Sequence, residues 1–232
     1  MPRTEWRRSL VLMATLLFGV SVANAGAQSP ARTFTVAPHA GYFMFDKASG
    51  LDNYAAAGVD VAYHLNANFG VGFFGDLVRP RTIGEYFPRA RHEFEDTTFT
   101  YRVSQQVTVA NVGVAGWVSY PVGRMEASLV AGVGRYTIFM DPQIMRRSET
   151  FGGMGFLVGG TLGYALSDNA GLQLSVRDYY YTSYDRRALD PVSAPHVDTT
   201  WPEFLEGVPE PKEKFHNLRV SVGLTFVPGG NR

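Results

Sequence analysis

From Phe34 onward the chain alternates between apolar and polar positions. In "GVDVAYHL", Val59, Val61, Tyr63 and Leu65 fall on one side of an extended segment, while Asp60 and His64 fall on the other. "FGVGFFGDLV" repeats the pattern, with Phe69, Val71, Phe73 and Leu77 in phase and Asp76 opposite. Near the C-terminus, "NLRVSVGLTF" sets Leu218, Val220, Val222, Leu224 and Phe226 against Arg219, Ser221, Gly223 and Thr225. Eight such segments can be marked off: 34–45, 54–65, 69–78, about 99–120, 125–140, 151–166, 171–184 and 217–226. No helical period of useful length competes with them, so the pattern predicts an all-β, antiparallel fold.

The connections decide which face looks at what. "NAN" (66–68), "PVGR" (121–124) and "SDNA" (167–170) are tight turns rich in Asn, Asp, Gly and Pro. The other connections, 46–53, 79 to about 98, 141–150 and about 185–214, are long and polar. Short and long alternate strictly, which puts every tight turn at one end of the strands and every long loop at the other. This asymmetry predicts an eight-stranded antiparallel up-and-down transmembrane β-barrel, apolar outside and polar inside. Aromatic residues are expected to form two interfacial girdles: Tyr63, Trp117, Tyr120 and Phe226 near the turns, and Tyr42, Tyr101, Tyr136 and Tyr179 to Tyr181 near the loops.

The N-terminus agrees with export. Arg3, Arg7 and Arg8 precede the apolar run "LVLMATLLFGVSV", and "ANA" at Ala23 to Ala25 offers a small-residue cleavage site. We therefore expect a secretory signal peptide over residues 1–25, cut near Ala25, and a flexible N-terminus over 26–32. The barrel then occupies 33–227, followed by a short tail, 228–232. The 232 residues include no Cys, so disulfides, thiol nucleophiles and thiolate metal sites are excluded. The chain carries 21 basic and 21 acidic residues, so its charge suggests no nucleic-acid partner. Its 25 Gly, 16 Phe and 12 Tyr suit short strands of a barrel.

Three stretches carry a resemblance: "GVDVAYHLNANFGVGFFGD", "GGTLGYALSDNAGLQLSVRDY" and the terminal "LRVSVGLTF". With the exported N-terminus, they resemble the small outer-membrane β-barrel family of the OmpA/OmpX kind. The resemblance implies a bacterial outer-membrane location. It also implies that Phe226 serves the barrel assembly machinery as an assembly signal, although "VPGGNR" follows it.

Phase places Asp60, His64, Asp76, Glu126, Gln173, Arg177 and Arg219 in the lumen as a polar network. An eight-stranded barrel is just wide enough to be filled by such side chains, and buried charges must be paired. Arg219 is expected to meet Glu126 or Asp76. The leading expectation is a structural envelope protein, a monomer with a filled lumen and functional surface loops. The alternative is a narrow solute channel, which Gly132, Gly134, Gly153, Gly155 and Gly163 would favour by leaving room inside. A lipid-modifying enzyme ranks lower. His39, His64, His92, His196 and His216 stand in no local motif with Ser and an acid, and His92, Glu93, Glu95 and Asp96 read as a solvated charged loop rather than a metal site. No cofactor is expected. The expected partners are outer-membrane lipid and lipopolysaccharide, whose phosphates Arg79, Arg81, Arg89 and Arg91 are placed to bridge.

Overall fold

A computed structural model describes residues 33–87, 91–94, 97–100, 104–140, 149–189 and 208–228. Ten strands follow in order: β1 (Phe34–Met44), β2 (Tyr54–His64), β3 (Phe69–Val78), β4 (Arg91–Phe94), β5 (Thr97–Thr100), β6 (Val107–Val122), β7 (Met125–Met140), β8 (Glu149–Ala165), β9 (Ala170–Tyr181) and β10 (Phe215–Phe226). Eight of them close a barrel in the order β1-β10-β9-β8-β7-β6-β3-β2, every ladder antiparallel. Closure leaves no unpaired strand edge, which a bilayer without hydrogen-bonding water demands. The expected fold class is the observed one.

One boundary moves. The fourth segment does not run from Phe99; its barrel strand begins at Val107, and Phe99 lies in β5, which pairs with β4 as a separate hairpin. Beyond the start of β6 the pairing with the chain after β3 continues in single contacts: an Arg81–Gln106 bridge, Thr82 N donating to the Gln105 carbonyl (2.9 Å) and Gln105 N to Thr82 Oγ1 (3.0 Å). The predicted signal segment, N-terminus and most of the tail, together with Tyr101 and His196, lie outside the described residues.

Outside, the barrel is apolar. Phe73, Val158 and Val222 are each more than half exposed, and Val112, Val114, Leu129, Phe156, Leu172 and Leu174 continue the surface. A water-facing protein hides such residues; a lipid-facing barrel presents them. The tight turns are built locally. Asn66 Oδ1 accepts from the backbone N–H groups of Asn68 (2.8 Å) and Phe69 (2.9 Å). β6 and β7 meet in a two-residue turn whose first residue, Gly123, has φ 64°, a conformation that costs glycine nothing. β6, β7 and β8 are 16, 16 and 17 residues long. Roughly 9–11 residues suffice to cross a bilayer, so this wall stands above the membrane on the long-loop side.

The girdles are thinner than the sequence suggests. Trp117, Tyr136, Tyr179 and Tyr181 are at most 8% exposed and point inward. Their phase is that of Ser119, Gly134, Arg177 and Gln173, and a period of two allows no exception within a regular strand. Phe34, Tyr120, Tyr164 and Phe226 remain outward near the turns, with Tyr42 and Tyr54 near the loops. Leu174 lies in the middle of the outer apolar band. Leu174→Arg is expected to lower stability by about 2–4 kcal/mol, read as a shifted urea-unfolding midpoint of the barrel refolded in phosphatidylcholine vesicles.

Candidate functional site: a charged core inside the barrel

Arg177 on β9 and Arg219 on β10 are direct partners across their ladder, and both are at most 1% exposed. Like charges opposite one another in a sheet repel, and each must therefore be answered separately. The answers come from strands three places round the barrel. Asp60 on β2 takes Arg177 in a two-pronged pair: Nη1 donates to Oδ1 at 2.8 Å, and Nη2 donates to Oδ2. Asp76 on β3 accepts from Arg219 Nη1 on Oδ1 and from the Tyr179 hydroxyl on Oδ2. The two-pronged form adds direction to charge.

His39 on β1 stands between the pairs. Its Nδ1 lies 3.1 Å from the Ala37 carbonyl oxygen and 3.9 Å from Asp60 Oδ2. Its Nε2 lies 2.7 Å from Arg219 Nη1 and 2.9 Å from Asp76 Oδ1. With the proton on Nδ1, the ring donates to Ala37 and Nε2 accepts from Arg219 Nη1; with it on Nε2, the ring donates to Asp76 Oδ1. The ring fits because its ladder neighbours on both sides are glycines, Gly58 and Gly223. A Cβ on Gly58 would stand 2.5 Å from both His39 Nε2 and Asp76 Oδ1; one on Gly223 would stand 2.8 Å from His39 Cβ.

Above this layer the interior is aromatic. Tyr179 packs on Phe43 at 5.3 Å, Tyr136 stacks on Tyr181 at 4.2 Å, and Tyr181 donates to Asn111 Oδ1 at 2.6 Å. At the loop end the described loop segments pack on one another. Leu51, Phe87 and Leu189 are buried there. The Tyr184 hydroxyl donates to the Ser49 carbonyl at 2.9 Å, and Arg186 Nη1 to the Pro209 carbonyl at 2.7 Å. Burial pushes the Tyr184 phenol well above its ordinary range and lowers Arg186. Gln105 Nε2 adds a bond to the Leu189 carbonyl at 3.2 Å.

Below the charged layer the lumen is polar. Ser119 and Ser128 share a 2.9 Å bond, Ser128 donates to Glu126 Oε1 at 3.0 Å, and His64 Nε2 bonds Thr35 Oγ1 at 3.1 Å. Among the described residues no serine bonds a histidine; the hydroxyl that does is that of Thr35.

Of the seven residues that phase placed inside, the structure brings together Asp60, Asp76, Arg177 and Arg219. His64, Glu126 and Gln173 sit lower; Gln173 Oε1 accepts from Thr225 at 3.4 Å. Arg219 meets Asp76, not Glu126, which lies near the turns. The expected lumen set lacks His39 and Tyr179. Thr35, Ala37 and His39 share a phase, but the apolar Ala37 and Phe43 on that same side blur the alternation of β1. The glycines expected to leave room do not all do so. An added Cβ would lie 2.6 Å from the Val114 carbonyl oxygen at Gly132, 2.2 Å from that of Val112 at Gly134, and 2.9 Å from the Tyr136 hydroxyl at Gly153. Their space already belongs to neighbours. At Gly155 and Gly163 the nearest atoms stand at 3.7 Å.

Removing one member of a buried pair strands the other charge at a cost of about 3–5 kcal/mol. Asp76→Asn is expected to lower vesicle-refolded stability by that order, and Asp76→Asn with Arg219→Met to regain part of it. Equal stability of the single variant and the wild type in urea titrations would contradict the pairing.

A family model for the outer membrane protein beta-barrel domain matches residues 12–226. Among solved structures, neisserial surface protein A superposes with a TM-score of 0.52 at 14% identity, covering 83% of this chain and 96% of that one. The N-terminal β-barrel domain of Pseudomonas aeruginosa OprF gives 0.44 at 10% identity, with 84% and 98% covered. No curated protein matches.

Proposed function

Because the chain belongs to the outer membrane protein β-barrel domain family, we propose that it is a structural, non-conducting and non-catalytic member that acts through its outer surface and loops. The observation that supports this reading is the set of buried contacts in the lumen. The Arg177–Asp60 and Arg219–Asp76 pairs with His39 occupy its middle, and the Tyr136–Tyr181 stack and the Leu189 lid occupy its loop end. An ion crossing that path must displace paired charges and an apolar cap together. On this reading residues 1–25 are removed during export, Phe226, outward at the end of β10, is presented to the barrel assembly machinery, and the folded monomer meets lipid and lipopolysaccharide.

A narrow channel is the second reading, and one observation favours it. Thr161 Oγ1, Gln173 Nε2, Ser175 Oγ and Ser221 Oγ are buried in the lower lumen without protein partners; polar groups of that kind bind water. Planar-bilayer recordings separate the two. The purified wild-type barrel is expected to give no stepwise conductance, and reproducible steps would overturn the filled-lumen reading. Release of fatty acid from phospholipid vesicles by the wild type, lost in His64→Ala, would overturn the non-catalytic part.

A further inference from the structure

The eight barrel strands hold three arginines and no lysine. Arg177 and Arg219 point inward and are paired. Arg135 on β7 points outward and is exposed, and its side chain makes no hydrogen bond or ion pair with any described residue. An unpaired guanidinium on the lipid side costs about 2–4 kcal/mol at the bilayer midplane but only about 0–1 near an interface.

Its height is therefore informative. The outward series on β7 runs Met125, Ala127, Leu129, Ala131, Val133, Arg135. Ten residues at a rise of about 3.4 Å and a tilt of about 40° span roughly 26 Å, close to the apolar band of about 25 Å. Arg135 thus stands where the band ends on the long-loop side. Its ladder partners are the exposed Val112 and Met154, and Val114, Val133 and Phe156 lie just below. Beside it runs a shallow groove of about 560 Å³ lined by Val133, Gly134, Arg135, Gly152, Gly153 and Met154. The floor is glycine, the walls are apolar, and one cation stands at the outer end.

We propose that this groove seats an outer-leaflet glycolipid, with a lipid A phosphate on Arg135 and an acyl chain along Val133, Met154 and Phe156. The proposal rests on the outer-membrane reading above and deepens it by naming a site on the barrel wall. A guanidinium offers a phosphate two parallel donors, and the apolar walls match a chain. Charge and shape change together along one line, as they do in the lipid.

The test titrates the detergent-folded full barrel with purified lipid A and with enzymatically dephosphorylated lipid A, and counts bound lipid by native mass spectrometry. Wild type is expected to bind phosphorylated lipid A about five- to tenfold more tightly than Arg135→Gln, with Arg135→Lys in between. Dephosphorylated lipid A is expected to bind wild type and Arg135→Gln alike. Equal affinity of wild type and Arg135→Gln for phosphorylated lipid A would overturn the site. Should Arg135→Gln not fold, the wild type decides alone: equal affinity for the two lipids overturns the proposal. The outer-membrane reading fails separately, if boiling leaves the wild type's gel mobility unchanged.

Discussion

Two arginines stand side by side on β9 and β10, inside a barrel wall that lipid surrounds. Everything around them answers that constraint. A charge removed from water needs a partner or a large compensating interaction, and the ladder denies them one another. Asp60 and Asp76 reach them from β2 and β3, with β1 lying between the two strand pairs. A one-residue slip in any of these ladders would turn a charge outward to the lipid. The cross-lumen pairs therefore select a register as well as fill space, and His39 ties the two pairs into one unit.

The remaining interior is shaped by that unit. Large side chains are set against glycines on the next strand: Arg177 against Gly159, Phe74 near Gly113, and His39 between Gly58 and Gly223. A Cβ on Gly159 would come within 2.8 Å of Arg177 Cγ. Glycine in a strand normally weakens it. Here the lost side chain is the space in which a neighbour's side chain lies, so the barrel gives up local strand propensity for interior packing. The loop end adds the lid of Tyr184, Arg186 and Leu189, while the turn end keeps hydroxyls, an amide and Glu126. The two ends of the lumen thus differ in chemistry as the two sides of the membrane do.

Most of the wall was legible in the sequence because it depends on local rules. The period of two sorted Asp60, Asp76, Arg177 and Arg219 inward, and turn chemistry separated one end from the other. What was not legible depends on how strands are arranged round the ring. That Arg219 meets Asp76 rather than Glu126 follows from closure, which brings β10 within three strands of β3 and sets Glu126 at the turn end of β7. The inward aromatics were misplaced for a different reason. Trp117, Tyr136, Tyr179 and Tyr181 were assigned by their height along the strand, although their phase already pointed them inside. The β4–β5 hairpin reads as part of the fourth segment because Thr97–Thr100 carries the same β-favouring composition; only its pairing with β4 separates it from the barrel.

The three strand arginines show how one residue type is sorted by its surroundings. On each strand the period of two decides the side that the arginine takes. Inside, a guanidinium without a carboxylate would be stranded, so two aspartates accompany the two inward arginines. Outside, a carboxylate partner on the wall would itself face lipid, which adds a second charge to the same difficulty. Height relieves that difficulty: at the edge of the apolar band the solvent changes from hydrocarbon to head groups, and the counter-charge is supplied by the membrane instead of the chain. Asp178 and His216 follow the same logic from the other sign. They are outward near the loop end of β9 and β10, and they satisfy one another at 2.7 Å. These arginines and the Asp178–His216 pair are thus charges paired across the lumen, paired along the rim, or left at the height where lipid can pair them.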